Sequence, residues 1–282
     1  MKKSSRDDRR RKAETGSNES RPGTQKHSSA RKHKGDAGHG RKKDFSSRRG
    51  ARFPREVAVL YEDDSVIVLN KPPGLLAVPI KGSHTPSALS LVGEELKHKR
   101  QRALIVHRID RFSSGILLFA KTNQDRDSLI KQFLAHTPFR QYLAVVRGQV
   151  AQESAKLIHY LRREGMFQLL RTARDPKASK AELDYSVERV FRDATLVRVN
   201  LITGLQNQIR AQFAAIGHPI IGDRKYNQKE AEERWIDRVA LHAAHLEFTH
   251  PRTGKRVAID CEAPEDFQRL VKILERSGRP RA

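Results

Sequence analysis

The chain reads as a mixed α+β fold, a largely antiparallel central sheet decorated by helices and preceded by a disordered basic tail. Three observations predict it. Runs with strand alternation outnumber runs with helical spacing, short turns join several of the strands, and the composition changes abruptly near Phe53. The expected organisation is a tail over residues 1–52 and one folded domain over residues 53–282.

Taken in order, Val57 to Tyr61 and Val66 to Leu69 are rich in β-branched residues and flank Glu-Asp-Asp-Ser, which predicts a hairpin. Lys71-Pro72-Pro73-Gly74 ends the second strand, because proline has no amide proton for the ladder. Ala88, Leu89, Leu91, Val92 and Leu96 fall at helical spacing within Pro86 to His98, with Thr85 as the expected N-cap. Strands follow at Ala103 to Val106 and Ile116 to Ala120, around a polar turn. A helix over Gln124 to Ala135 sets Leu129, Ile130, Phe133 and Leu134 on one face. Beyond it, Gln141 to Val146, Glu182 to Val190, Thr195 to Ile202, Val239 to Phe248 and Arg256 to Ile259 read as strands. Gln206 to Ile216 and Glu265 to Arg276 read as helices.

Composition narrows the function. The 282 residues carry 56 Lys and Arg against 33 Asp and Glu, a net charge of +23. An excess of that size predicts a polyanionic partner, because each phosphate neutralised releases condensed counterions. Nucleic acid leads, and an anionic membrane surface comes second. A single cysteine, Cys261, allows no intrachain disulfide and points to a reduced, cytoplasmic setting. No apolar run is long enough to span a bilayer and no apolar segment follows the first charges, so membrane-spanning and secreted classes are set aside.

Residues 1–50 hold 17 Lys and Arg, 6 Asp and Glu, and no Val, Ile or Leu. Such a stretch buries too little to offset the entropy of ordering, and it is read as disordered. An arm that holds RNA phosphates and a merely solubilising tail both fit it.

The most informative stretch is His107-Arg108-Ile109-Asp110-Arg111-Phe112-Ser113-Ser114-Gly115. Asp110 lies at the tip of a strand-turn-strand between Arg108 and Arg111, where a carboxylate stays ionised and phosphates are attracted. Local pattern alone favours a plainer assignment, an Asx turn in which Asp110 bonds nearby amides and the arginines are solvated.

The longer stretch HRIDRFSSGILLFAK, His107 to Lys121, resembles the active-site motif of the RluA-type pseudouridine synthases, close to HRLD-x-x-TSG-x-L-L-x-AK. Ile109 stands for Leu and Ser113 for Thr. Asn70-Lys71-Pro72-Pro73-Gly74 resembles that family's NKP-x-G element, and Tyr142-Leu143-Ala144 its Y-L-A strand. IGHPIIGDRKY, Ile216 to Tyr226, is similar to its IGHP-x-x-GD-x-x-Y element, and Leu241-His242-Ala243 and Phe248-Thr249-His250-Pro251 follow. One element departs. Where the family has T-G-R-T-H-Q-I-R, this chain has Thr203-Gly204-Leu205-Gln206-Asn207-Gln208-Ile209-Arg210, which keeps the last arginine and changes the substrate-facing turn.

The resemblance implies an RNA isomerase that breaks the uridine N-glycosidic bond, turns the base and rejoins it through C5 to C1′, with no metal or cofactor. It makes Asp110 the catalytic carboxylate. A charged carboxylate in a pocket requires a partner, and the family pattern assigns Arg210. Tyr142 is implied to lie against the target base; a free phenol titrates at about 10, so stacking is its expected role. Extruding that base costs about a few kcal/mol. Arg108 is implied to fill the vacated space or hold the neighbouring phosphate, Arg111 adds a second phosphate contact, and Leu241 is the expected apolar wall.

Other chemistries find little support. His242 and His245 are three apart, a spacing expected to put them on opposite faces of a strand, and with one cysteine and no His-Glu-x-x-His pattern no metal site is expected. Neither G-x-x-x-x-G-K-[ST] nor G-x-G-x-x-G occurs. Ser113-Ser114-Gly115 is not a nucleophile elbow, and its serines are expected to bond the turn that presents Asp110. The expected partner is RNA, ribosomal or transfer, and the expected state a monomer. A rival is a non-catalytic RNA-binding or ribosome-assembly factor on the same fold. A DNA-binding basic protein rests on charge alone.

Overall fold

The computed structural model describes residues 57–227 and 235–277, so the tail expected over residues 1–52 lies outside the described residues. Strand β1 (Ala58–Glu62) pairs antiparallel with β2 (Val66–Lys71), the predicted hairpin. Asp63 closes its turn: Oδ1 accepts the amides of Ser65 and Val66, and Oδ2 accepts the hydroxyl of Tyr61 and Nε2–H of His250.

Helix α1 (Ala88–His98) starts later than its spacing predicts. Its N-cap is Ser87 and not Thr85, because Ser87 and Ser90 form a reciprocal capping box. Strand β3 (Leu104–Ile105) pairs antiparallel with β4 (Ser114–Ala120), which frames the loop that carries Asp110. Helix α2 (Asn123–Leu134) is capped by Thr122 and buries Leu129. Leu134, expected on its apolar face, is 74% exposed, since the helix has turned away from the core by its last residue.

Strand β5 (Phe139–Arg147) is followed by two strands with no sequence signal, β6 (Ser154–Glu164) and β7 (Phe167–Arg171). Their apolar residues are interspersed with Lys156, Arg162, Arg163 and Arg171, and such charges suit the outer end of a sheet, where β7 is the edge that must not pair with another chain. Ion pairs lie across them, Arg171 to Glu164 at 2.5 Å and Arg162 to Asp175 at 3.1 Å. Strands β8 (Ser179–Val190) and β9 (Ala194–Leu201) lead to helix α3 (Gln208–Ala215), and β10 (Leu241–Thr249) and β11 (Arg256–Asp260) to helix α4 (Glu265–Ser277).

Among the described residues one sheet runs β1-β2-β4-β10-β5-β9-β8-β6-β7, with β3 beside β4 and β11 beside β10. Every pairing is antiparallel except β4 with β10. Period-two alternation in β2 and β4 divides their side chains between two cores. Val66, Val68, Ile116 and Leu118 join the main cluster, while Ile67, Leu69, Leu117 and Phe119 pack with Val92 and Leu96 of α1. No helix among the described residues is long and apolar enough to cross a membrane.

A bulge between Ala243 and His245 overturns the expected placement of the two histidines. His242 stands opposite Leu143 and His245 opposite Gln141, residues two apart that share a face. Their rings are engaged separately, His242 with Ser114 and Cys261, His245 with Asp260 and Glu247.

Candidate active site

Three strands meet at the centre of the sheet, where Gly115 of β4 is registered with Ala243 of β10, and Ala243 with Tyr142 of β5. Gly115 has φ +108, and a Cβ there would lie 2.2 Å from the Ala243 carbonyl oxygen. Only glycine lets β10 lie parallel to β4 at this point, which explains the last residue of Ser-Ser-Gly.

The Asp110 loop enters β4 just before this crossing. Ser113 N–H donates to the Asp110 carbonyl at 3.2 Å, closing a turn with Arg111 and Phe112 at its centre. Gly74 N–H donates to the Arg111 carbonyl at 2.7 Å, and Arg111 Nε returns a bond to the Gly74 carbonyl at 2.9 Å. Beneath the turn lies Lys71, fully buried, with Nζ 2.7–3.1 Å from the carbonyl oxygens of Pro72, Leu75, Arg111 and Ser113. Burial, with further pressure from Arg238 and Arg111, pushes this amine down to about 7. Lys71 therefore ties the Lys-Pro-Pro-Gly segment to the Asp110 turn, a part not assigned to it from sequence. His107 anchors the loop's start: its Nε2 accepts Leu118 N–H, and its ring stacks on Phe133. Burial and Arg140 push that imidazole down to about 3, so it stays neutral.

The serines do not bond the turn through their hydroxyls, as their position suggests. Ser114 Oγ donates to His242 Nδ1 at 2.9 Å, and His242 Nε2 donates to the Cys261 carbonyl. The Ser113 contribution is made by its backbone, and its buried Oγ has no partner.

Arg210 meets Asp110 as expected. Its Nη1 donates to Asp110 Oδ2 at 3.0 Å, and the Asp110 side chain keeps 21% of its surface open. The rest of the guanidinium is held by groups not singled out from sequence. Nε and Nη2 donate to the two oxygens of Asp223, whose side chain is fully buried. Asp223 also accepts the amides of Lys225 and Tyr226. Burial alone works against a charged guanidinium here, but Asp223 and Asp110 outweigh it and hold Arg210 above the ordinary arginine range. The Tyr226 ring lies 5.4 Å below that guanidinium, and its hydroxyl accepts Gln168 N–H. The Gly-Asp-x-x-Tyr element carried the signal for both residues.

The departing turn before α3 contributes a further ligand. Asn207 adopts φ +53 at the N-cap, so the helix begins at Gln208 and not at Gln206. Its Oδ1 accepts Arg210 Nη1 at 2.8 Å and makes no cap bond. Gln208 closes the turn instead, with Oε1 accepting Leu205 N–H and the Thr203 hydroxyl.

Tyr142 is buried on β5, and its phenol is pushed up by burial and by Asp110 against the pull of Arg140. The phenol is thus neutral at physiological pH, which suits stacking. Arg108 is exposed and makes no ion pair with a described residue, while Arg111 is exposed but bonded to Gly74. Leu241 is 4% exposed within the main core, beside Tyr142 and Ile209 in the same cluster.

A carboxylate held by an anchored guanidinium, open on one side and bordered by a neutral phenol, is a site for covalent or acid–base work on a small planar group. Comparisons with known proteins agree. Residues 65–215 match the family described as RNA pseudouridylate synthase. The chain is 35% identical over 234 residues to the uncharacterized RNA pseudouridine synthase YlyB of Bacillus subtilis, covering 80% of this chain and 75% of that one. It is 36% identical to the ribosomal large subunit pseudouridine synthase C of Escherichia coli, covering 77% and 69%. Its fold resembles the solved structure of human RNA pseudouridylate synthase domain containing 4, with TM-score 0.64, 20% identity, and coverage of 77% and 93%.

The protein is thus an isomerase that converts uridine in RNA to pseudouridine. It belongs to the RNA pseudouridine synthase family.

Proposed function

We propose that this chain modifies ribosomal RNA in the cytoplasm, with residues 53–282 as the catalytic domain and Asp110 as the reacting carboxylate. The observation that carries the assignment is the Asp110–Arg210 pair at 3.0 Å, reachable from solvent on the carboxylate side and fixed on the other by Asp223. The names of the Escherichia coli and Zymomonas mobilis relatives, both ribosomal large subunit pseudouridine synthases, support the choice of RNA.

In the reaction the C1′–N1 bond breaks, the uracil turns, C5 bonds to C1′, the C5 proton leaves and N1 takes one up. Asp110 supplies the oxygen that acts on the nucleotide, and Arg210 fixes where that oxygen stands. Tyr142 stacks against the uracil while it turns, and Leu241 closes the apolar side. Arg108 enters the gap left by the extruded base, and Arg111 adds positive charge along the strand. Asn207 weighs against the non-catalytic alternative, because the departing turn still delivers a ligand to Arg210.

The test is a deletion strain. Pseudouridines in its ribosomal and transfer RNA are mapped by carbodiimide adducts and primer extension. One or a few uridines of ribosomal RNA are expected to lose modification and to regain it with the wild-type gene but not with Asp110→Asn. Restoration by Asp110→Asn would remove Asp110 from the chemistry, and loss confined to transfer RNA would overturn the choice of substrate.

A further inference from the structure

Phe112 is 47% exposed and belongs to none of the buried clusters. It is a central residue of the turn that presents Asp110. That turn is fastened on several sides, by Ser113 N–H to Asp110, by the paired bonds between Arg111 and Gly74, and by Lys71 Nζ to the carbonyls of Arg111 and Ser113. The ring is therefore presented to solvent on a backbone already held in place, so little ordering entropy remains to be lost on binding. The Arg111 guanidinium carbon lies 5.3 Å from the ring centre, and Arg108 is exposed on the other side of Asp110.

An exposed aromatic ring with the Arg111 guanidinium against it, two residues from the reacting carboxylate, has the composition of a platform for single-stranded nucleic acid. Cations draw the phosphates, and any base offers a π face to the ring. A protein surface would meet positive charge beside one small apolar face, a poorer match than RNA. We propose that Phe112 is a positioning residue for the RNA, its ring stacking on the base next to the extruded uridine and holding the strand open over Asp110. This rests on the assignment of Asp110 as the reacting group.

The test uses total RNA labelled with [5-³H]uridine from a strain lacking the gene, with tritium release as the readout. A stacked neighbour binds ground and transition states alike, so Phe112→Ala is expected to raise KM roughly 10- to 100-fold and leave the saturating rate within about threefold. Phe112→Trp retains the wild-type KM within about threefold, whereas Phe112→Leu behaves as the alanine variant. In a Trp235→Phe background, the emission of the Phe112→Trp protein is quenched by the same RNA. A KM for Phe112→Ala within twofold of wild type, full function of the leucine variant, or unquenched emission overturns the proposal. Tritium release by Asp110→Asn at the wild-type rate would instead overturn the assignment of Asp110.

Discussion

Asp223 accepts two parallel hydrogen bonds from Arg210, from Nε at 2.7 Å and from Nη2 at 2.8 Å, which leaves Nη1 to reach Asp110. One guanidinium thus joins a buried carboxylate that orients it to an open carboxylate that it serves. The fork fixes the plane of the guanidinium, and so the point at which Nη1 meets Asp110.

The two aspartates are therefore expected to separate in their effects. Asp223→Asn removes half of a fully buried ion pair and costs about 3–5 kcal/mol of stability by urea unfolding. Asp110→Asn, at a partly open position, costs less than about 1 kcal/mol and yet abolishes tritium release. Equal destabilisation by the two variants would contradict this division.

Asn207 allows a cleaner probe of the same guanidinium. Asn207→Gly keeps the left-handed backbone without strain but removes the Oδ1 that accepts Nη1, so the rate is expected to fall roughly 5- to 30-fold with a loss of stability of about 1–2 kcal/mol. Asn207→Ala loses the same ligand and adds about 1 kcal/mol of backbone strain. Wild-type turnover by the glycine variant would show that Asp223 alone suffices to aim Arg210.

Much of this was legible in the residues and some was not, for physical reasons. Alternation and β-branched runs marked β2, β4 and β5 because those strands bury apolar side chains, and β1 because it closes the hairpin with β2. β6 and β7 escaped because their apolar residues fall in consecutive pairs, Leu157-Ile158, Tyr160-Leu161 and Leu169-Leu170, and do not alternate with period two. Asp110, Tyr142 and Arg210 were reached through a family resemblance. Asp223 and Lys71 lay inside motifs already recognised, but what they do depends on groups far away in sequence, Arg210 for one and the Asp110 turn for the other. The N-cap of α1 was misplaced by two residues because Thr85 and Ser87 have equal capping chemistry, and only the partner at Ser90 decides between them.

Gly115→Ala tests the parallel crossing of β4 and β10. Its Cβ would overlap the Ala243 carbonyl, and φ +108 is a conformation that alanine resists. Relieving the clash requires β10 to move from β4, which also displaces the Ser114–His242 bond. The expected loss is on the order of 3 kcal/mol or more, beyond the strain of one dihedral angle. A thermal midpoint within 2 °C of wild type, against the roughly 6 °C or more expected for such a loss, would mean that the strands slide apart freely.

Lys71 makes stability depend on pH in a predictable direction. Its amine titrates at about 7 in the fold and at 10.5 in the open chain, so between those values the unfolded state binds more protons. Stability contributed by this group therefore rises as pH climbs from 7 to 10.5, by up to about 5 kcal/mol, and is level below 7, where both states hold the proton. Lys71→Met lacks the titrating group and leaves four carbonyl oxygens without their donor at every pH. Unfolding of both proteins in urea at pH 6.5, 8 and 9.5 gives the comparison, in which other titrating groups cancel. The advantage of wild type over Lys71→Met is expected to widen with pH; an advantage that narrows would mean that the four carbonyls favour the ammonium more strongly than burial opposes it.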